Sequence, residues 1–264
     1  MEPEPEPRRW IGALRRSHDE LASFVQGLSA DELVRQSACS EWSVAQVLAH
    51  LGSGAEMGLA SLETALAGQD PPPREPNAAV WDRWNAMSPE EKRAGFLTSD
   101  ARRVARLQGL DSATLASLRI HLEFLPAPLH VAGLVGMMLA EHALHSWDVF
   151  VSFRRAATVP PYAAELLVDG VPLGVPWVGR AEAWSGPATT VAVETTNPAR
   201  RFTLALGETV ALTPGGGNTD GRLRLPAEAL IRLTAGRLSP DHTPPVEVTG
   251  SVTLDQLRLV FPGY

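Results

Sequence analysis

Residues 141–148 read Glu-His-Ala-Leu-His-Ser-Trp-Asp and end the most apolar run of the chain, LVGMMLA at 134–140. In a helix, residues four apart share a face, so Glu141 and His145 project together along the stripe that Leu134 and Met138 direct toward a core. A buried carboxylate is costly unless it is paired, protonated or bound to a metal. The stretch therefore predicts a helix that brings polar groups into the interior of a helical bundle.

A matching residue is His50, in the apolar stretch Val47-Leu48-Ala49-His50-Leu51. Two histidines and one glutamate form a three-ligand set that suits zinc with an open coordination position, as in catalytic sites. The same spacing is equally consistent with hydrogen-bonded core histidines and a partly solvated Glu141. The residues alone leave both interpretations open.

Two further polar residues of the same helix, His142 and Asp148, lie close to this set in the sequence. His142 points about 100° away from Glu141 around a helix, so we expect it outside the ligand set. Asp148 follows His145 by three residues, where its carboxylate could accept the ring proton of that histidine or could lie at the surface end of the helix.

The first half of the chain predicts a helical bundle over residues 9–155. Its four principal helices are expected at Trp10–Leu28, Val44–Leu66, Pro89–Gln108 and Pro128–Phe153, from helical spacing of apolar residues and from capping residues such as Ser88 and Glu91. A short helical turn follows Ser29, and the prolines at 71–73 predict a loop. Residues 1–8 alternate proline and glutamate, which predicts a disordered tail.

The second half has a different pattern. Prolines at 160, 161, 172 and 176 predict a linker region over residues 156–187, with one helix at Ala163–Asp169. Alternating residues predict a hairpin of strands Thr189–Thr196 and Arg201–Leu206. A turn at Gly215–Asn218, strands at Arg222–Leu225 and Val246–Thr249, and helices at Pro226–Leu238 and Thr253–Val260 complete a small α/β domain over residues 188–264. The predicted fold class is α+β.

Composition limits the function classes. A net charge of −7 and a pI near 5.5 argue against nucleic-acid binding, which needs clustered cations. The single cysteine, Cys39, excludes an internal disulfide and a thiolate-rich metal site. The N-terminus lacks the regions of a signal peptide, and the apolar run ends too early to span a membrane, so we expect a cytoplasmic protein, monomeric or a weak dimer.

Two motifs together resemble a known family. Residues 39–51, with Cys39-Ser40-Glu41-Trp42-Ser43-Val44 and then His50, and residues 141–148 resemble the signatures of the mycothiol-dependent maleylpyruvate isomerase family. That resemblance implies a DinB-like metal-binding four-helix bundle with His50, Glu141 and His145 as the metal ligands. It also implies that the second domain is similar to sterol carrier proteins. An arginine of that domain would face the substrate: Arg237 is the first candidate and Arg232 the second.

The activity that the resemblance implies is thiol chemistry. Zinc, or another divalent metal, would bind the thiol of mycothiol as co-substrate, and the thiolate would attack an electrophilic small molecule. The outcome is S-transfer or isomerisation, with maleylpyruvate cis–trans isomerisation as the narrower alternative. A metal-dependent hydrolase and a non-catalytic metal- or thiol-binding module remain open. Cys39 is expected to pack rather than react, and Trp42 to anchor the start of a helix.

Overall fold

The computed structural model describes residues 6–69, 75–122, 125–217 and 219–263. The chain divides into two compact units, residues 1–154 and residues 155–264. Its described part is mixed helix and sheet, with a helical N-terminal unit and a sheet-containing C-terminal unit. The predicted α+β class is confirmed.

The first unit is built on four long helices. Its elements are α1 (Pro7–Gln26), α2 (Ala30–Leu33), α3 (Val44–Leu66), α4 (Glu75–Ala86), α5 (Pro89–Gln108), α6 (Ser112–Ser117), β1 (Arg119–Ile120), β2 (Leu129–His130) and α7 (Val131–Val151). Helices α1, α3, α5 and α7 correspond to the four predicted ones. The short strands explain the late start of α7, because Leu129 and His130 pair with β1 before the helix begins.

Local sequence sets the helix starts. Ser43 caps α3 and Ser88 caps α5, each in a capping box with the residue three positions on, Gln46 and Glu91. Each box satisfies backbone N–H groups that the first helical turn leaves unpaired. The start of α3 therefore has a fixed position, and His50 lies less than two turns beyond it.

Helix α4 was not predicted from the sequence, and it is held in place by contacts with other helices. Trp84 is almost fully buried and lies against Gly52 of α3 and Gly95 of α5, where a Cβ on Gly95 would come within 2.8 Å of the ring. The indole Nε1 of Trp84 donates a hydrogen bond to Glu56 Oε2 at 3.0 Å. The proline loop predicted at 71–73 lies outside the described residues.

The predicted disordered tail is wrong at its end. Helix α1 begins at Pro7, a residue that suits the first helical turn because its missing N–H is not needed there. Arg8, also helical, donates from Nη2 to the Leu110 carbonyl at 3.2 Å. The rest of that tail, residues 1–5, lies outside the described residues.

The second unit contains a five-stranded sheet. Its elements are α8 (Pro161–Leu167), α9 (Val171–Val178), β3 (Thr189–Thr196), β4 (Arg200–Leu206), β5 (Val210–Pro214), β6 (Gly221–Pro226), α10 (Ala227–Thr234), β7 (Glu247–Gly250) and α11 (Leu254–Val260). The strand order is β5-β4-β3-β6-β7, with β3 and β6 parallel and the other pairs antiparallel. The predicted β3–β4 hairpin is confirmed, and Val191 pairs with Leu204 in its register.

The segment expected to be a linker is largely helical. Residues 161–178 form α8, a short 3₁₀ turn and α9, where one helix was predicted. Pro161 lies in the first turn of α8 and Pro172 in that of α9, so both prolines begin helices instead of interrupting them. No helix in the described residues is long and apolar enough to cross a membrane.

Candidate metal centre

The three residues selected from the sequence meet in the first unit. His50 Nε2, from α3, lies 3.2 Å from Glu141 Oε2 on α7, and His145 Nε2 lies 3.7 Å from the same oxygen. One ligand atom from each residue falls within 4.8 Å of the others. A tetrahedral ion with bonds of about 2.0 Å holds its ligand atoms about 3.3 Å apart, so the two separations measured from Glu141 Oε2 are compatible with zinc.

Asp148 holds the ring of His145. Its Oδ2 lies 2.9 Å from His145 Nδ1, and the carboxylate is fully buried. A carboxylate at this distance favours the tautomer with the ring proton on Nδ1, which makes Nε2 the nitrogen available to a metal. Of the two positions considered for Asp148, the structure shows the one in which its carboxylate contacts the ring of His145.

Solvent reaches the centre from one side. The side chain of Glu141 is 56% exposed and that of His50 is 38% exposed, whereas His145 is 10% exposed. The expectation that Glu141 points into the core is therefore wrong. The helical pattern identifies the face of α7 correctly, but that face reaches the edge of the bundle at Glu141.

Trp42 forms one wall of the centre. Its ring centroid lies 5.7 Å from that of His145 in a stacked arrangement and 5.0 Å from that of His50. The expected role of Trp42, anchoring the start of α3, is thus incomplete, because the side chain also lies against the two candidate ligand histidines. Only its place three residues after Cys39 and one before a helix cap marked it in the sequence.

The loop that carries Trp42 is held by a dense set of hydrogen bonds. The Gln36 side-chain amide donates to the carbonyls of Cys39 and Trp42, both at 2.9 Å. The Ala38 backbone N–H donates to the Asp148 carbonyl at 3.1 Å, which ties this loop to α7 beside the centre. Cys39 packs against the apolar cluster around Val44 and Phe96, in agreement with its predicted packing role.

The other histidine of the motif belongs elsewhere. His142 is fully buried, and its ligand atoms group with His18 and Asp100, separately from His50, Glu141 and His145. The structure thus separates His142 from the group of His50, Glu141 and His145, as expected. The second buried cluster had no signal in the sequence, because it draws on three separate helices.

The two candidate arginines lie in the second unit. Arg232 is 1% exposed and donates from Nε and Nη2 to the two carboxylate oxygens of Glu228, at 2.7 and 2.9 Å. Its Nη1 donates to the His242 carbonyl at 2.8 Å, so the described contacts of Arg232 are structural and give no support to the second choice for substrate binding. Arg237 is partly buried, and its Nη1 donates to the Ala235 carbonyl at 3.0 Å. A substrate role for Arg237 stays a prediction.

Fold and centre together define a class of protein: a helical bundle with a two-histidine, one-glutamate candidate metal centre, followed by an α/β unit. The family model of the mycothiol maleylpyruvate isomerase N-terminal domain matches residues 14–150. The chain belongs to this family.

Solved structures share the fold over nearly the whole chain. A crystal structure of the mycothiol-dependent maleylpyruvate isomerase aligns with a TM-score of 0.66 at 14% identity, covering 94% of this chain and 95% of that one. A structure of that enzyme with a histidine-to-alanine substitution aligns with a TM-score of 0.69, at the same identity and coverage. No curated protein sequence matches the chain.

Proposed function

We propose that the chain is a metal- and mycothiol-dependent S-transferase or isomerase whose His50, Glu141 and His145 hold a zinc ion. The observation that carries the proposal is that one ligand atom from each of the three residues lies within 4.8 Å of the other two, at a place that solvent reaches. Other divalent metals accept the same donors. Three protein ligands leave a coordination position for a thiol.

The residues around the centre have distinct tasks in this proposal. Glu141 supplies the negative charge that compensates a dication, and Asp148 keeps the His145 Nε2 lone pair available. Trp42 covers one side of both histidine rings, which restricts water there and leaves the side of Glu141 for the incoming thiol. A bound zinc ion supplies a Lewis acid that stabilises the thiolate, the nucleophilic form of a thiol, at neutral pH.

The two reactions diverge after the thiolate has attacked. A thiolate that adds to a cis double bond conjugated with a carbonyl leaves a single bond and an enolate; rotation about that bond and expulsion of the thiolate then give the trans isomer. If the enolate is protonated by solvent instead, the carbon–sulfur bond is kept and the product is a thioether. Isomerisation of maleylpyruvate is the second candidate, supported by the shared fold of the solved isomerase over 94% of the chain. Its carboxylates would need a cation, and Arg237 remains the proposed one.

Hydrolysis is less well supported. A metal-dependent hydrolase needs a general base beside the metal ligands. Asp148 is fully buried and engaged with His145, and His142 lies in the separate buried cluster. Neither residue faces the accessible side at Glu141.

The test is metal content followed by thiol titration. Elemental analysis of the purified protein is expected to give one zinc per chain, and calorimetric titration should show mycothiol binding to the zinc-loaded but not the chelated form. His50→Ala should lose the metal, whereas the matched control His121→Ala, an exposed histidine of the same unit, should keep it.

The outcomes separate the alternatives. Metal without thiol binding would refute the mycothiol proposal and favour a hydrolase or a sensor. Zinc retained by His50→Ala would refute the ligand set. Thiol-dependent conversion of maleylpyruvate to its trans isomer, monitored by ultraviolet absorbance, would select isomerase over transferase.

A further inference from the structure

A second cluster of buried polar groups lies beside the candidate centre. Asp100 of α5 is fully buried; its Oδ2 accepts a hydrogen bond from His18 Nδ1 of α1 at 2.7 Å and lies 3.2 Å from His142 Nε2 of α7. Arg103 forms a close ion pair with the same carboxylate. On the other side of its ring, His142 Nδ1 lies 2.8 Å from Ser17 Oγ and 3.1 Å from Ser146 Oγ. We call these six residues the Asp100 cluster.

Opposite charges are paired inside the Asp100 cluster. Burial alone would raise the pKa of Asp100, but the Arg103 guanidinium and the contacts with His142 and His18 outweigh it and hold the pKa well below its ordinary value. The carboxylate and guanidinium thus compensate each other inside the bundle. A dication added to His18, Asp100 and His142 would leave uncompensated charge in a region without solvent, which is strongly unfavourable. The cluster is better suited to positioning than to metal binding.

The Asp100 cluster holds helix α7. The cluster joins α1, α5 and α7, and two of its members, His142 and Ser146, each directly follow a candidate ligand, Glu141 and His145. Adjacent helical residues differ by about 100° around the axis, so α7 presents one face to the centre and a neighbouring face to the cluster. Hydrogen bonds on one face therefore restrain rotation of the other.

A metal centre requires accurate placement of its ligand atoms. Side-chain tips lie about 5–6 Å from a helix axis, so a rotation of about 10° moves them by about 1 Å. Metal–ligand distances tolerate deviations of about 0.2 Å. Apolar contacts are poorly directional, whereas a hydrogen-bonded buried network has a defined geometry.

We propose that the Asp100 cluster sets the rotation of α7 and thereby positions Glu141 and His145 against His50. The proposal rests on the proposed metal centre. The six residues of the Asp100 cluster are positioning residues, because they act on the candidate ligands through the backbone of α7.

The test compares metal binding in three variants of the full chain. Asp100→Asn removes the central charge, and the double variant Ser17→Ala/Ser146→Ala removes both hydroxyls at His142 Nδ1 while leaving the ion pair intact. The matched control is Val104→Ala, a fully buried apolar residue of α5 next to Arg103. Zinc affinity is measured by chelator competition, the visible spectrum with cobalt(II) reports coordination geometry, and circular dichroism identifies the folded fraction.

We expect Asp100→Asn and the double variant, when folded, to bind zinc about 10- to 100-fold more weakly and to change the cobalt(II) spectrum. Val104→Ala should lower stability while leaving both readouts as in the wild type. If Asp100→Asn does not fold, the double variant decides.

Wild-type zinc affinity and an unchanged spectrum in the folded cluster variants would overturn the positioning role and leave the metal centre intact. Equal weakening by Val104→Ala would overturn it as well, since the effect would then follow stability alone. Absence of zinc binding by the wild-type chain would instead refute the metal centre, and the positioning role with it.

Discussion

The contact between Asp148 and His145 allows a sharp test of the candidate centre. Asp148→Asn preserves size and removes the charge of a carboxylate whose Oδ2 lies 2.9 Å from His145 Nδ1. Because the aspartate side chain is fully buried and that of the histidine is 10% exposed, water has little access to replace the lost interaction. The substitution therefore acts on the electronics and tautomer of one ligand while leaving all three ligands in the chain.

The expected size comes from this geometry. Loss of the partner of a ligand histidine weakens metal binding by about 10- to 100-fold, or about 1.4–2.7 kcal/mol. The upper end applies here, because an asparagine can present its NH₂ group to Nδ1. That arrangement favours the tautomer with the proton on Nε2, the atom that must bind the metal.

Chelator competition on the purified variant measures the zinc dissociation constant. Asp111→Asn is the control: Asp111 caps α6 in the same unit through the Thr114 N–H at 2.7 Å and is remote in sequence from the ligands. It should change zinc affinity by less than about twofold while altering stability by at most about 1 kcal/mol. A folded Asp148→Asn protein that binds zinc as the wild type does would refute the assigned role of Asp148.

Three further predictions concern stability. Gly95→Ala should lower the free energy of unfolding by about 1–3 kcal/mol in urea, because the new Cβ would lie 2.8 Å from the Trp84 ring. The control Gly12→Ala, whose Cβ would meet no neighbouring side chain within 4 Å, should be neutral or stabilising. Equal effects of the two substitutions would contradict the packing of α4. The depressed pKa of Asp100 means that its stabilising contribution is complete above the ordinary aspartate pKa, about 3.9, and is lost as the pH falls below it. Urea midpoints between pH 7 and pH 2 should therefore fall more steeply for the wild type than for Asp100→Asn, and parallel curves would exclude that residue as a source of acid sensitivity. Glu228→Gln should lower the free energy of unfolding by about 3–5 kcal/mol, because it leaves the buried Arg232 charge without its carboxylate. Asp241→Asn, at an exposed ion pair, should lower it by less than about 1 kcal/mol. Thermal unfolding of both variants measures the difference, and a mild effect of Glu228→Gln would show that the buried pair is dispensable.

Features governed by local sequence were predictable. The bounds of α3 and α5 follow from their capping boxes, and β3 follows from strict alternation. Helix α4 was not predictable in this way, because its anchor Trp84 depends on two glycines from other helices. The edge strand β5 is only five residues long and ends in a proline, so its own sequence does not predict a strand. It becomes one by pairing with β4.

The same distinction between local sequence and tertiary packing applies to the candidate centre. The i, i+4 spacing of Glu141 and His145 and the aspartate three residues further on identified one face of α7. The exposure of Glu141 depends on how the other helices pack around α7, and the stacking of Trp42 on His145 depends on the loop held by Gln36. The Asp100 cluster depends on the alignment of three helices, which no single segment encodes.

The exposure of Glu141 has a kinetic consequence. If Glu141 binds a metal as proposed, its carboxylate, more than half accessible and on a flexible side chain, can release its oxygen and rotate into water without any opening of the helical bundle. Metal exchange should then follow a stepwise, ligand-by-ligand route with a low barrier, in contrast to sites enclosed during folding. Occupancy would be governed by the concentrations of competing divalent ions around the folded protein, with copper(II) the strongest competitor by the general affinity order.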